Sequence, residues 1–328
     1  MIRRSLAIAV AAFVSAACAA SGAVTGSDGP RGIVEAQGAT AGTGATEATG
    51  ASGASPSPST SPSPSPSTEP AEPLPAPDEL IPAQRGELAR VLELTFSSNR
   101  DAITAWYRRG DPATWPPPRD VVLLTLYEQR IYRWLASRPS LSQRIIDRLS
   151  RRVAREAGRN VAASHALFEH FAPVSELPDF RIRRPEPADV LLSYFQAAER
   201  RFGVDWEVLA AIMLIETRMG RIRSSSSAGA EGPMQFIPST WDAYGLGGDV
   251  HDPEDAVMGA ANYLRASGAP DDYQRALYAY NHVDAYVKAV WAYARTMMLF
   301  PDAYYAYYNW QVYVRTVDGD VRLSGPGL

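Results

Sequence analysis

Cysteine is almost absent: Cys18 is the only one, so no disulfide within the chain can staple the fold. Histidine is scarce too. His165, His170, His251 and His282 have no paired spacing with cysteines or acids, so no metal site is expected. No glycine loop separates a strand from a helix, which leaves nucleotides without a phosphate cradle, and no cofactor is expected. Basic and acidic side chains nearly cancel, 32 against 36 for a formal net charge of -4, which leaves no electrostatic footprint for nucleic acid. Long apolar runs are also missing, since the one at residues 6–17 is short for a membrane span.

That short run does have a reading. Preceded by Met1-Ile2-Arg3-Arg4, it has the charged and apolar regions of a secretory signal, assigned to residues 1–20. Val14-Ser15-Ala16-Ala17-Cys18 resembles a bacterial lipobox in which Ser15 replaces the usual aliphatic residue. Acylation of Cys18 and membrane attachment through that lipid is the preferred expectation, because a lone cysteine in an exported chain has no disulfide partner. Simple secretion, with cleavage after Ala19 or Ala20, is the alternative.

Residues 21–76 are rich in Ala, Gly, Ser, Thr and Pro, with a Ser-Pro repeat over 55–67. Such a stretch cannot bury enough apolar surface to fold. The Ser-Pro part favours polyproline II at about 3.1 Å per residue, so it is either a semi-rigid spacer or a plain flexible tail.

Apolar residues then recur at helical spacing, and the fold class expected is all-α. Residues 77–184 read as a helical subdomain with helices over 84–109, 119–137 and 141–172. Its arginines, Arg144, Arg148, Arg151, Arg152, Arg155 and Arg159, suit a solvated face better than a track for an anionic polymer. Residues 185–300 supply helices at 187–202, 205–219, 238–244, 253–267, 272–282 and 284–298. Residues 301–328 hold the tyrosine cluster from Tyr304 to Tyr308 and a small hairpin signalled by Asp318-Gly319.

One acid stands out. From Asp205, an expected N-cap, Leu209, Ile212, Met213 and Met219 share a helix face with Glu216. Gly220 is the expected C-cap. A carboxyl partly desolvated on that face, at the negative end of the helix dipole (roughly 0.3–1 kcal/mol), should have a raised pKa and be able to donate a proton. The competing reading is a snorkelling surface Glu paired with Arg218, Arg221 or Arg223.

Glu216-Thr217, then Gly232-Pro233-Met234-Gln235, then Ala279-Tyr280-Asn281 resemble, in order and spacing, three motifs of the lytic transglycosylases. The resemblance covers residues 185–298. Thr217 stands where that family usually has Ser, and Pro233 where it usually has Leu. The resemblance implies a goose-lysozyme-like catalytic domain, in an exported murein transglycosylase of actinobacterial type that works as a monomer on peptidoglycan glycan strands. It implies Glu216 as the catalytic acid and base, with Gln235 and Asn281 on sugar or acetamido groups. Ser226 would line the loop, Met234 would pack beneath a sugar, and Tyr280 would hydrogen-bond near Glu216. Core packing is the alternative for Met234 and Tyr280. His282 is a further cleft candidate, and Glu231 reads as a solvated loop residue paired with Arg221 or Arg223; the alternatives are a hydrolytic muramidase of the same fold, with Glu231 as the second carboxylate, and a non-catalytic peptidoglycan-binding lipoprotein. Gln235 to Tyr244 and Asp252 to Ala256 also resemble a membrane-bound branch in which a calcium loop can lie between these segments. Residues 247–252 lack the alternating oxygen ligands for calcium.

Overall fold

The structure, a computed structural model, describes residues 73–114 and 116–325. The expected export signal, Cys18 and the low-complexity stretch up to residue 72 lie outside the described residues.

Helix α1 (Arg85–Arg109) starts where the Gln84 side chain accepts from the Glu87 amide, and α2 (Arg119–Ala136) follows the proline triplet. Instead of one helix over 141–172 there are two, α3 (Pro139–Ile146) and α4 (Arg151–His170). Periodicity cannot see this break, because Ile145, Leu149 and Val153 keep a four-residue step across it. The break lies in the backbone: Arg148 and Leu149 turn back to the carbonyls of Ile145 and Ile146, and the Glu93 carboxylate takes the Ser150 amide. Of the six arginines, Arg144, Arg148, Arg151, Arg152 and Arg155 are exposed and Arg159 is half-buried.

Helix α5 (Ala188–Phe202) ends at left-handed Gly203, and α6 (Trp206–Thr217), α7 (Pro238–Tyr244) and α8 (Pro253–Ser267) follow. Asp252 and Asp272 cap α8 and α9 (Tyr273–Tyr280) through their side chains, each satisfying amides that the first helical turn leaves unpaired. The last helices are α10 (Asp284–Leu299) and α11 (Ala303–Tyr308). The second forms within the tyrosine cluster, where no helix was expected. Strands β1 (Tyr313–Thr316) and β2 (Gly319–Arg322) make the expected antiparallel hairpin.

One hydrophobic core runs from Leu88 on α1 to Trp310. At its centre α6 packs against α5, α8, α10 and α11, while α10 also lies along α4 and so joins the early helices to the later ones. The early helices hold a buried polar knot. Arg100 meets Glu128 and Glu156, and Tyr132 donates to Glu128 at 2.9 Å. The hairpin is fastened to α2 by Arg133–Asp320 at 2.6 Å and by a reciprocal pair of hydrogen bonds between Gln129 and the Gln311 backbone.

Candidate active site

Helix α6 has no polar face. Val208 to Thr217 are all buried, so the amphipathic helix expected from the sequence is instead a central one, wrapped on every side. Glu216 is 0 % exposed, which excludes the snorkelling surface pair. The helix also ends earlier than residue 219. Arg218, Met219 and Gly220 are successively left-handed (φ 54, 59 and 79°), and Arg218, not Gly220, is the cap. Left-handed backbone costs a non-glycine residue about 1–2 kcal/mol. Thr217 offsets part of that cost: its hydroxyl donates to the Pro233 carbonyl at 2.6 Å and accepts from the Gly220 amide at 3.0 Å. Asp205 occupies the N-cap position, but its side chain caps nothing.

Two arginines follow the acid inward. Burial lowers Arg218 and Arg221 to a pKa of about 10, so both stay charged near neutrality. The Arg221 guanidinium lies 5.4 Å from the Tyr308 ring centre and donates to the Arg218 carbonyl at 3.2 Å. Arg221 therefore does not pair with Glu231. The Glu231 carboxylate lies 3.5 Å from His251 Nε2.

The loop after α6 folds on itself. The Ser226 hydroxyl accepts from the amides of Ala228 and Ala230, so it holds the turn together. Glu231 and Phe236 exchange backbone hydrogen bonds at 2.8 Å, closing a tight turn over Gly232 to Gln235. Gly232 has φ 73°, and a Cβ there would lie 1.8 Å from the Val250 carbonyl oxygen, so only glycine fits. Gln235 is left-handed as well (φ 53°). Its amide nitrogen donates to the Gly232 carbonyl at 2.9 Å, while its Oε1 is buried without a hydrogen-bond partner. A buried acceptor left open is costly unless a ligand fills it.

Two tyrosines converge on Glu216. Tyr280, at the end of α9, donates its hydroxyl to the Met234 carbonyl at 2.7 Å, and Met234 itself is core. Burial first, then the Glu216 charge, then Tyr263 hold the Tyr280 phenol well above its ordinary pKa. Tyr286 on α10 is raised in the same way, by burial first and then by the charges of Glu216 and Tyr280. Both phenols therefore stay neutral at physiological pH; the single Tyr280 proton is committed to the Met234 carbonyl, which leaves Tyr286 as the phenol with a proton to offer a carboxylate. Tyr286 was not anticipated. Its only local signal is one hydroxyl amid the apolar positions Val287 and Val290.

Asn281 caps α9 and is 2 % exposed, with its carbonyl accepting from the Val283 amide. His282 is exposed and packs edge-on to Tyr278. A row of rings, Trp241, Phe236, Tyr280, Tyr263 and Tyr244, runs beside the turn with centre spacings of 4.8 to 6.0 Å. Trp241, Tyr263 and Tyr244 are partly exposed. Among the described residues no group of three or more His, Cys, Asp or Glu could hold a metal.

Residues 193–297 match the family model for the Transglycosylase SLT domain. Over 143 residues the chain is 32 % identical to the membrane-bound lytic murein transglycosylase F of Thiobacillus denitrificans, a match covering 42 % of this chain and 29 % of that protein. The chain thus spans less than a third of this curated relative's length. No solved structure matches. The matched segment contains Glu216, the Gly232–Gln235 turn and Tyr280-Asn281, set in helices α5 to α10. Residues 193–297 are accordingly the part of the chain that is similar to the Transglycosylase SLT domain.

Proposed function

We propose that the chain is a peptidoglycan lytic transglycosylase that cleaves the β-1,4 bond between N-acetylmuramic acid and N-acetylglucosamine. Residues 77–184 would form a helical support packed on the catalytic part through α4 and α10. The observation that carries the reading is Glu216: a carboxyl shielded from solvent, near enough to Tyr280 and Tyr286 for its charge to raise both phenols, and followed by Thr217, which holds the turn bearing the open Gln235 oxygen. A carboxyl removed from water resists ionisation unless its partners compensate, which suits a proton donor. A glycan strand must shift neighbouring side chains to reach it.

In the proposed reaction Glu216 gives its proton to the bridging oxygen as the C1–O bond breaks. The centre left on C1 is oxocarbenium-like. The same residue, now a carboxylate, takes the proton of the C6 hydroxyl while O6 bonds to C1, closing a 1,6-anhydro ring and regenerating the acid. Tyr286 steadies the carboxylate with a hydrogen bond. Gln235 and Asn281 hold acetamido or hydroxyl groups, Tyr280 and Met234 fix the turn, and Ser226 shapes the loop.

Glu216→Gln keeps the shape and removes the transferable proton, and general acid-base groups contribute about 10²- to 10⁴-fold. Mass spectrometry of digested peptidoglycan should show 1,6-anhydromuramic ends with the wild-type chain and almost none with the variant. Reducing muramic ends would mean that water is the acceptor.

Cys18 is the proposed lipid anchor, with residues 21–76 as the tether to the cell wall. Among the described residues no helix is long and apolar enough to cross a membrane.

A further inference from the structure

Between Glu216 and the Gln235 turn the chain passes along a second feature. An antiparallel bridge pairs Ile182 with Ile222, and backbone hydrogen bonds of 2.9 Å join Arg183 to Arg221 and Arg223 to Arg181. In extended backbone, alternate residues share a face. Ile182 and Ile222 accordingly pack with Val312, Phe180 and Leu323 in a small core. The same register sets Arg181 opposite Arg223 and Arg183 opposite Arg221. Like charges directly opposite one another destabilise such a pairing. No carboxylate among the described residues pairs with Arg181, Arg183 or Arg223. Arg183 and Arg223 instead line an open groove of about 630 Å³ together with Ile182 and Arg184.

We propose that this groove binds the carboxylates of the peptide stems carried by the muramic acid residues, so that the enzyme selects peptide-bearing over bare glycan. This rests on peptidoglycan being the substrate. The chain as a whole is net acidic, at -4, so the arginines form a local concentration of positive charge. Guanidinium groups match carboxylates with paired, charge-assisted hydrogen bonds. The groove's second edge is the segment leaving α6, which ties the stem's position to the helix that holds Glu216.

The test is calorimetric titration of the full chain carrying Glu216→Gln, which stops turnover. The probes are a muramic acid disaccharide with its tetrapeptide and the same disaccharide without it. The peptide-bearing probe should bind about tenfold tighter at low salt, the sum of two part-exposed arginine–carboxylate pairs. That advantage should shrink at high salt, where screening is strong, and vanish in Arg183→Gln/Arg223→Gln. Arg183→Gln alone, at an exposed side chain, should remove part of it, and circular dichroism should show both variants folded. Equal affinity for the two probes, or equal weakening of both in the double variant, overturns the proposal. So does arginine-dependent binding of a polyglycerol phosphate in place of the tetrapeptide probe. Peptide-dependent binding by a chain that, with Glu216 intact, cleaves nothing would retain the groove and reject the enzymatic reading.

Discussion

The Thr217 hydroxyl donates to the Pro233 carbonyl at 2.6 Å, joining the residue after the candidate acid to the turn that carries Gln235. Because the same oxygen accepts from Gly220, it serves as both the end of α6 and the clasp of the loop.

Thr217→Ser should therefore be nearly silent, and Thr217→Val should not. Valine keeps the shape but leaves a buried carbonyl and amide unpaired, at about 1–3 kcal/mol. The check is the urea midpoint of both variants together with their turnover. Equal stability of the two would remove the clasp from the account.

Tyr286→Phe deletes one hydroxyl facing Glu216 and changes little volume. If that hydroxyl donates to the ionised Glu216 during the reaction, turnover should fall about 10- to 150-fold at nearly constant KM, since a hydrogen bond to a charged group is worth about 1.5–3 kcal/mol. Wild-type kcat in the phenylalanine variant would make Tyr286 a core residue only.

The buried knot on α1, α2 and α4 predicts a pH effect far from the active site. Burial, opposed by Arg100 and reinforced by Glu128, raises the Glu156 pKa above the ordinary carboxyl value of 4.5. With the folded value above the unfolded one, its contribution to stability is complete below about 4.5 and is lost as pH rises through the folded value. Thermal midpoints of Glu156→Gln should lack that decline, while Arg100 stays neutralised by Glu128. Parallel midpoint curves for wild type and variant would refute the assignment.

Cys18→Ala should move the protein from the detergent phase to the aqueous phase in a partition assay, because acyl chains supply the membrane affinity. Unchanged partition, with a mature end at Ala19 or beyond, would mean simple secretion.

Helices with chemical punctuation were legible in the sequence. Asp252-Pro253 marks the start of α8 because the Asp252 side chain reaches the Glu254 and Asp255 amides, whereas Asp284, the marker expected for α10, lies inside that helix and Val283 is its N-cap. The α3–α4 break was hidden because the apolar step from Ile145 to Val153 runs through it. The end of α6 was misplaced because glycine is the usual left-handed cap, whereas here the Thr217 hydroxyl stabilises two earlier left-handed residues. Glu216, Gln235 and Asn281 were singled out through motif order. Tyr286 was not, because it meets Glu216 only when α10 packs across α6, and no local pattern encodes that encounter.

The missing side chain at Gly232 has a mechanical consequence. With the glycine backbone pressed against the Val250 carbonyl, the turn bearing Gln235 cannot swing toward the α7–α8 connection. It can only travel with it. Any widening needed to admit a glycan strand must then come from rigid movement of the α7–α8 block or from retreat of the Ser226 loop. The position of the Gln235 oxygen is thus gauged from residue 250 as firmly as from its own neighbours in sequence.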